Sequence, residues 1–283
     1  MSQIPDGVER SQLAIAARRV LLDGLTALQP HLDALTVVGA QAVYLRTPNA
    51  AMRNAPFTSD ADLSIDPVLL GDQPHLDEAL LAAGFELMQD NQPGLWARTE
   101  QIGGQAVPIE LDLLIAKELA EKIGKRSAKI PPHDNMTARW TPGLEVCAVD
   151  RSPVPIQSLD PDDKRTISAN VAGPAALLVA KAYKISERVA DAERRPDRLT
   201  NKDAGDVYRI MATVPARQVA ASFASLVQDP RVGVIAAEGL RFLRELFGAA
   251  ATPGVNLAVE AHAGDIPEET IRTVAPAYLS RLP

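Results

Sequence analysis

Apolar residues in the first half of the chain recur in two rhythms. Leu13, Ala17, Val20, Leu21, Leu25 and Leu28 fall at helical spacing, which predicts a helix over 8–28 started by Asp6 or Ser11. Leu35 to Val38 is a short β-branched run, the pattern of a buried strand, and it breaks at Gly39-Ala40. A short helix from Gln41 to Leu45 and a loop from Arg46 to Thr58 follow. Ala61 to Ile65 reads as a strand stopped by Asp66-Pro67, and His75 to Ala83 as a helix ended by Gly84. Strands are predicted over 85–89, 95–99 and 106–115, the last two joined by a hairpin at Gly103-Gly104. In the final arm Ile109, Leu111, Leu113 and Ile115 alternate onto one face, and Glu110 and Asp112 onto the other.

Residues 117–143 show no clear period and predict a helix followed by a loop. Leu144 to Val149 and Val154 to Gln157 predict further strands, and Asp160 to Asp163 a turn. Beyond Gly173 the rhythm becomes helical. Pro174 opens a helix to about Ala192 that buries Leu178, Ala182, Ile185 and Val189, with Lys181, Lys184 and Arg188 on the neighbouring stripe. Thr200-Asn201-Lys202-Asp203 has the form of a capping box, and helices are predicted over 216–228, 232–247 and 267–281. The pattern therefore predicts an α+β (mixed α/β) chain, with a mixed sheet and flanking helices over 1–168 and a helical domain over 169–283.

Composition narrows the class. At 283 residues, 46% apolar and 23% charged, the chain is that of an ordinary globular protein of two domains. No apolar run reaches the length of a bilayer span, and MSQIPDGVERSQ lacks the features of a signal peptide, so a cytoplasmic protein without a membrane partner is expected. The single cysteine, Cys147, excludes an internal disulfide and a multi-cysteine zinc site; it falls in a predicted strand and reads as buried and inert. His31, His75, His133 and His262 share no spacing, which argues against a His-based metal site or triad. A net charge of −7 argues against general nucleic-acid binding, but charge is unevenly placed. Eight Asp and Glu and no Lys or Arg lie between Arg53 and Arg98, whereas 117–129 and 181–209 are rich in Lys and Arg. An acidic site flanked by basic segments suits a metal centre that handles a polyanion.

That site centres on Asp60 and Asp62. On a strand they share a face with Ser64, and two adjacent carboxylates repel unless a cation sits between them. The glycine turn leading into a helix offers backbone N–H groups to an anion. Cation and anion sites in one unit suggest a metal–nucleotide complex, and Asp112 is the third carboxylate a two-metal site needs. Haloacid-dehalogenase-type phosphatases and sugar-nucleotide glycosyltransferases set their Asp pair directly after a buried apolar strand. Here Ala55-Pro56-Phe57-Thr58-Ser59 precedes it, and no such strand is present.

Gly39-Ala40, Arg53…Thr58-Ser59-Asp60-Ala61-Asp62 and Glu110-Leu111-Asp112 resemble the nucleotidyltransferase-fold superfamily. VAKAYKISER…LTNKDAGDVYRI, with Lys181, Lys202-Asp203 and Asp206, is similar to one branch of it, the AbiE-type (AbiEii/MenT-like) nucleotidyltransferase toxins. The resemblance covers roughly residues 30–212 and implies a nucleotidyltransferase-like core. It implies a Mg²⁺-dependent enzyme that moves a nucleotide from an NTP to an acceptor, the 3′ end of tRNA for some members, as the toxin of a toxin–antitoxin pair. Asp60, Asp62 and Asp112 would hold two Mg²⁺ ions. Asp112 would also help deprotonate the incoming hydroxyl; Glu110 reads as a group behind the ligands or on the surface rather than as a ligand. Gly39, Ala40, Thr58 and Ser59 would contact the nucleotide, and Lys181 would sit on the β- and γ-phosphates with Asp203 beside it. A cognate antitoxin protein would be a further partner. Ala40 departs from the Ser or Gly common at this position, which removes a hydroxyl contact to the phosphates. Two other readings compete: an acceptor that is a small molecule or a protein hydroxyl, and a non-catalytic interaction protein that keeps the fold.

Overall fold

The computed structural model describes residues 7–52, 57–123 and 126–283; Asp6 and Arg53 lie outside them. The chain divides into two compact units. The first comprises residues 1–45, 56–141 and 151–172, and the second comprises 46–55, 142–150 and 173–283.

The first unit is built on one mixed sheet. Helix α1 (Arg10–Ala27) starts at Glu9, whose side chain and Gln12 form a reciprocal capping box; the cap falls between the two expected start signals, Asp6 and Ser11, and is neither of them. Strand β1 (Leu35–Val38) leads directly into α2 (Gly39–Arg46), and β2 (Asp60–Ile65) runs antiparallel to β1. After α3 (Leu76–Ala82) come the short β3 (Glu86–Leu87), β4 (Leu95–Ile102) and the long β5 (Gln105–Ala116). The expected hairpin joins β4 and β5, with Ile102 opposite Gln105. Along one edge β5 pairs with β2 in parallel. Along its other edge it pairs first with β4 and then with β8.

Three expectations are corrected here. Residues 117–143 do not form a helix and loop but three short strands, β6 (Glu121–Ile123), β7 (Ser127–Lys129) and β8 (Arg139–Thr141). The stretch has no helical apolar stripe to bury, whereas Ala128 and Ile130 are buried on either side of exposed Lys129, a period of two. Residues 144–149 are not a strand: Glu145–Ala148 is a 3-10 turn that buries Val146 and Cys147. Finally, β9 (Arg151–Gln157) turns back into an unexpected strand, β10 (Thr166–Ala172), which lies parallel to β1 at Val37–Val171. The strand order is β6-β7-β8-β5-β2-β1-β10-β9.

The two faces of the sheet differ. Leu35, Val37, Ala61, Leu63, Ile65, Ile109, Leu111, Leu113 and Ile115 share one face and are almost wholly buried. Helix α1 packs against that side; Gly24 sits over Leu111, where a Cβ would lie 2.7 Å from the leucine Cδ2. A side chain at Gly24 would push the helix off the sheet, and each large apolar group on this face contributes about 1.5–3 kcal/mol by burial. The opposite face carries Asp60, Asp62, Ser64, Glu110 and Asp112.

The second unit is helical: α4 (Pro174–Ala190), α5 (Lys202–Thr213), α6 (Ala216–Leu226), α7 (Gly233–Phe247), α8 (Pro253–Ala261) and α9 (Glu268–Leu279). Leu178, Ala182 and Ile185 of α4 and Val207, Ile210 and Met211 of α5 are buried, as their spacing predicts; Val189, expected on the same stripe, is only partly buried, and Val179 is buried instead. Pro174 is the first residue of α4, as expected, and the helix receives a cap from outside itself. The half-buried Asp150 carboxylate accepts a hydrogen bond from the Ala176 amide at 2.9 Å. Burial pushes that carboxyl up, and the amide hydrogen bond and the charge of Arg46 oppose the rise. The expected capping box before α5 is absent: Asn201 is the N-cap and makes no side-chain cap bond. No helix among the described residues is long and apolar enough to cross a membrane.

Candidate active site

Parallel pairing between β2 and β5 aligns Asp60 with Glu110 and Asp62 with Asp112. Residues paired in this way point to the same side of a sheet, so four carboxylates form a two-by-two block on one face. Asp60 and Asp62 are partly exposed and Asp112 is buried. Burial, together with the charge of Asp62, pushes Asp112 up to about 8, against the pull of Arg139. Glu110 is raised too, by burial and then by Asp60. One Asp112 oxygen, Oδ2, is held by Nη2 of Arg139. The other, Oδ1, is enclosed and has no hydrogen-bond partner among the described residues, and Nε of Arg139 is in the same position.

Gly39 forms the next wall of the site. It is the first residue of α2, directly after β1, with φ +67°, in the left-handed region that side chains avoid. A Cβ at this position would run into the Asp62 carboxylate. The glycine is therefore needed twice, for the turn and to admit Asp62 against the start of the helix. Ala40 follows it, buried, in the first turn. Thr58 is buried and donates its hydroxyl to Oδ1 of Asp60; Ser59 is partly exposed.

Gln41 locks this arrangement. Its Nε2 donates to the carbonyl oxygens of Ala17 and Asp60, each at 3.0 Å. Its Oε1 accepts from Nε of Arg18 at 2.8 Å, and Arg18 also donates to the Gln157 carbonyl at 2.9 Å. One buried amide thus ties α1 and α2 to the first residue of β2, and sets where the Asp pair begins.

The other expected residues, Lys181 and Asp203, meet each other in the second unit. The Lys181 ammonium, 6% exposed, donates to Asp203 and Asp206, each at 2.7 Å. Asp203 also receives Arg188 at 3.0 Å and Lys184 at 3.2 Å. Burial alone would lower the Lys181 pKa, but the two carboxylates hold it above its ordinary value. Burial works to raise Asp203, yet Lys181, Lys184 and Arg188 hold it below the usual carboxylate range. Asp203 thus turns towards cations rather than capping its own helix. Asp206 pairs with Lys181 rather than standing as a surface partner of Arg209, which donates to Thr47 at 2.8 Å.

Arg139 and Gln41 went unrecognised in the sequence. Nothing local marks either one; strand order brings Arg139 to Asp112. The fold also gathers three histidines with no common spacing. The His31 and His75 rings each lie 5.8 Å from that of His133. Nδ1 of His133 accepts the Leu76 amide at the start of α3, and Nε2 bonds the Gly71 carbonyl at 3.1 Å. His133 is therefore neutral with its proton on Nε2, a fastener for the 71–76 loop. Burial lowers its pKa, consistent with that state.

Among the described residues no three His, Cys, Asp or Glu side chains converge as a ready cage for a metal ion. The carboxylate block nevertheless suits a hard divalent cation. It offers only oxygen donors from one face, with an enclosed, unpartnered oxygen on Asp112. Neither the protein-family models nor the curated proteins contain a match to this chain.

Proposed function

We propose that the carboxylate block is the catalytic site of a Mg²⁺-dependent nucleotidyltransferase. On this reading it moves a nucleotide from an NTP onto an acceptor, the 3′ end of tRNA, as the cytoplasmic toxin of a toxin–antitoxin pair. The observation that carries the reading is the β2–β5 register, which sets Asp62 beside Asp112 and Asp60 beside Glu110, next to the glycine-led start of α2. Two independent stretches of sequence, 58–62 and 110–112, carry the resemblance and meet on one face. The class of enzyme rests on that meeting. The tRNA acceptor and the toxin role rest on the resemblance alone.

Bound Mg²⁺ would neutralise the triphosphate and stabilise charge on the attacking and leaving oxygens. Asp60, Asp62 and Asp112 would hold it. The acceptor hydroxyl gives its proton to Asp112. The hydroxyl oxygen bonds to the α-phosphorus as the bond from that phosphorus to the bridging oxygen breaks, and pyrophosphate leaves with the electron pair. Backbone N–H groups of the first turn of α2 face the phosphates. Thr58, whose hydroxyl donates to Asp60, orients that carboxylate, and Ser59 enters as a nucleotide contact through the resemblance. Lys181 and Asp203 enter through the resemblance.

The test is transfer of label from each α-³²P-labelled NTP into total RNA. Wild-type protein labels a tRNA-sized band with Mg²⁺, and Asp60→Asn does not. Failure with all four NTPs, or equal labelling by Asp60→Asn, overturns the proposal.

A further inference from the structure

The Asp112–Arg139 pair is not built as a permanent structural ion pair. Guanidinium and carboxylate bind best through two parallel hydrogen bonds, which use both oxygens and two nitrogens. Here the contact is between Nη2 and Oδ2, while Oδ1 and Nε are enclosed without partners among the described residues. Leaving buried polar atoms unmatched is costly, so the pair holds less firmly than its burial suggests. Neighbouring strands impose the contact: Arg139 lies beside Leu114, two residues beyond Asp112 on the same face, in the parallel β5–β8 pair. Facing Asp112 from β2 and β5 are Asp60, Asp62 and Glu110, three further acidic groups that attract any cation.

We infer that Arg139 is an internal competitor for the cation position on Asp112, holding that carboxylate until a divalent metal ion displaces the guanidinium. The inference rests on the carboxylate block being a metal site, as proposed above, and adds how that site is regulated. Arg139 sets a threshold: the block binds metal only where the ion outweighs the guanidinium already in place. Direct repulsion acts in the same direction, because a divalent ion beside a fixed guanidinium meets like charge. Losing the guanidinium also favours a proton on Asp112. A proton gains once from the lost repulsion and a divalent ion twice, so the net effect is tighter metal binding.

The experiment is Mn²⁺ binding to the full chain by electron paramagnetic resonance, with no nucleotide present. Arg139→Gln is expected to bind Mn²⁺ at least about tenfold more tightly than wild type, and Arg139→Lys close to wild type. Ethylguanidinium added to Arg139→Ala should weaken Mn²⁺ binding again, an arm that remains if the glutamine variant folds poorly. Equal or weaker binding by Arg139→Gln, with Asp60→Asn still reducing wild-type binding, overturns the competitor role alone. Wild-type binding that is indifferent to Asp60→Asn overturns the metal site and this inference with it.

Discussion

Replacing Lys181 by methionine should destabilise the helical unit well beyond the usual effect of a surface lysine. The ammonium is 6% exposed and bonds two carboxylates that are themselves buried. In the variant, Asp203 keeps Arg188 at 3.0 Å and Lys184 at 3.2 Å. Asp206 keeps no ion-pair partner among the described residues. Stranding one member of a buried pair costs about 3–5 kcal/mol. Removing the stranded charge as well, in Lys181→Met/Asp206→Leu, should recover all but about 1 kcal/mol, since an apolar replacement of a buried pair is often near neutral. The pH dependence has a definite sign. Lys181, held above its ordinary value, contributes stability that is lost only as pH rises past the lysine range; Asp203, held below its own, contributes stability lost only in strong acid. The contribution of the wild-type pair is therefore flat from about pH 5 to 9, between the ordinary carboxylate and lysine values. Urea unfolding followed by circular dichroism at three pH values, with m-values compared, measures it. A loss under about 1 kcal/mol, or a double variant no better than the single, refutes the reasoning. The pair of variants also separates folding from chemistry. If Lys181 acts on the phosphates, the double variant regains stability and stays inactive in the transfer assay.

Asp112→Asn should become increasingly more stable than wild type as pH rises from about 4 to about 8 in the presence of chelator, with no further change above that. A carboxyl raised to about 8 keeps a proton that the unfolded chain has lost, so wild-type stability falls through that window. Four units set a ceiling of about 5 kcal/mol and solvent relaxation brings the gap nearer 2; a pH-independent gap would contradict the assigned burial. Gly39→Ala should lower the melting temperature and abolish transfer together, because its methyl group meets the Asp62 carboxylate in a backbone conformation that side chains avoid. An active, undestabilised Gly39→Ala protein would show that the turn is not built as described. Gln41→Leu removes two donated bonds and strands Nε of Arg18, at a cost of about 2–4 kcal/mol in chemical unfolding; a cost under 1 would rule out its role as a lock.

The legible parts of this chain are those set by short-range geometry. Alternation along 60–65 and 109–115 separates acidic from apolar residues whatever the strands pair with, so the face carrying Asp60, Asp62 and Asp112 could be read directly. Gly39 was recognisable as a turn, though its need to admit Asp62 was not. What escaped depends on partners distant in sequence. Arg139 reaches Asp112 because β8 takes up the edge of β5 where β4 leaves it. Thr166 to Ala172, with small and polar residues, carries too little apolar signal to announce a strand; it is stabilised by β1 on one side and β9 on the other. The helix and loop expected over 117–143 give way to short strands because the stretch has no apolar stripe at helical spacing, while the alternation at Ala128 and Ile130 suits a sheet.

The path of the chain through its two units bears on how the protein is made. Strand β10 completes the first unit's sheet by pairing with β1, yet the ribosome delivers it more than a hundred residues later. Residues 142–150, which belong to the second unit, are made in between, and Asp150 must wait for Ala176 before it caps anything. Until Ala172 emerges, the nascent sheet presents an unpaired edge along β1, the kind of surface that recruits strands from other chains. A fragment ending near residue 141 would keep that edge for good, and one beginning at Gly173 would lack both Asp150 and Thr47, the acceptor for Arg209. Neither half of this protein can be obtained by a single cut.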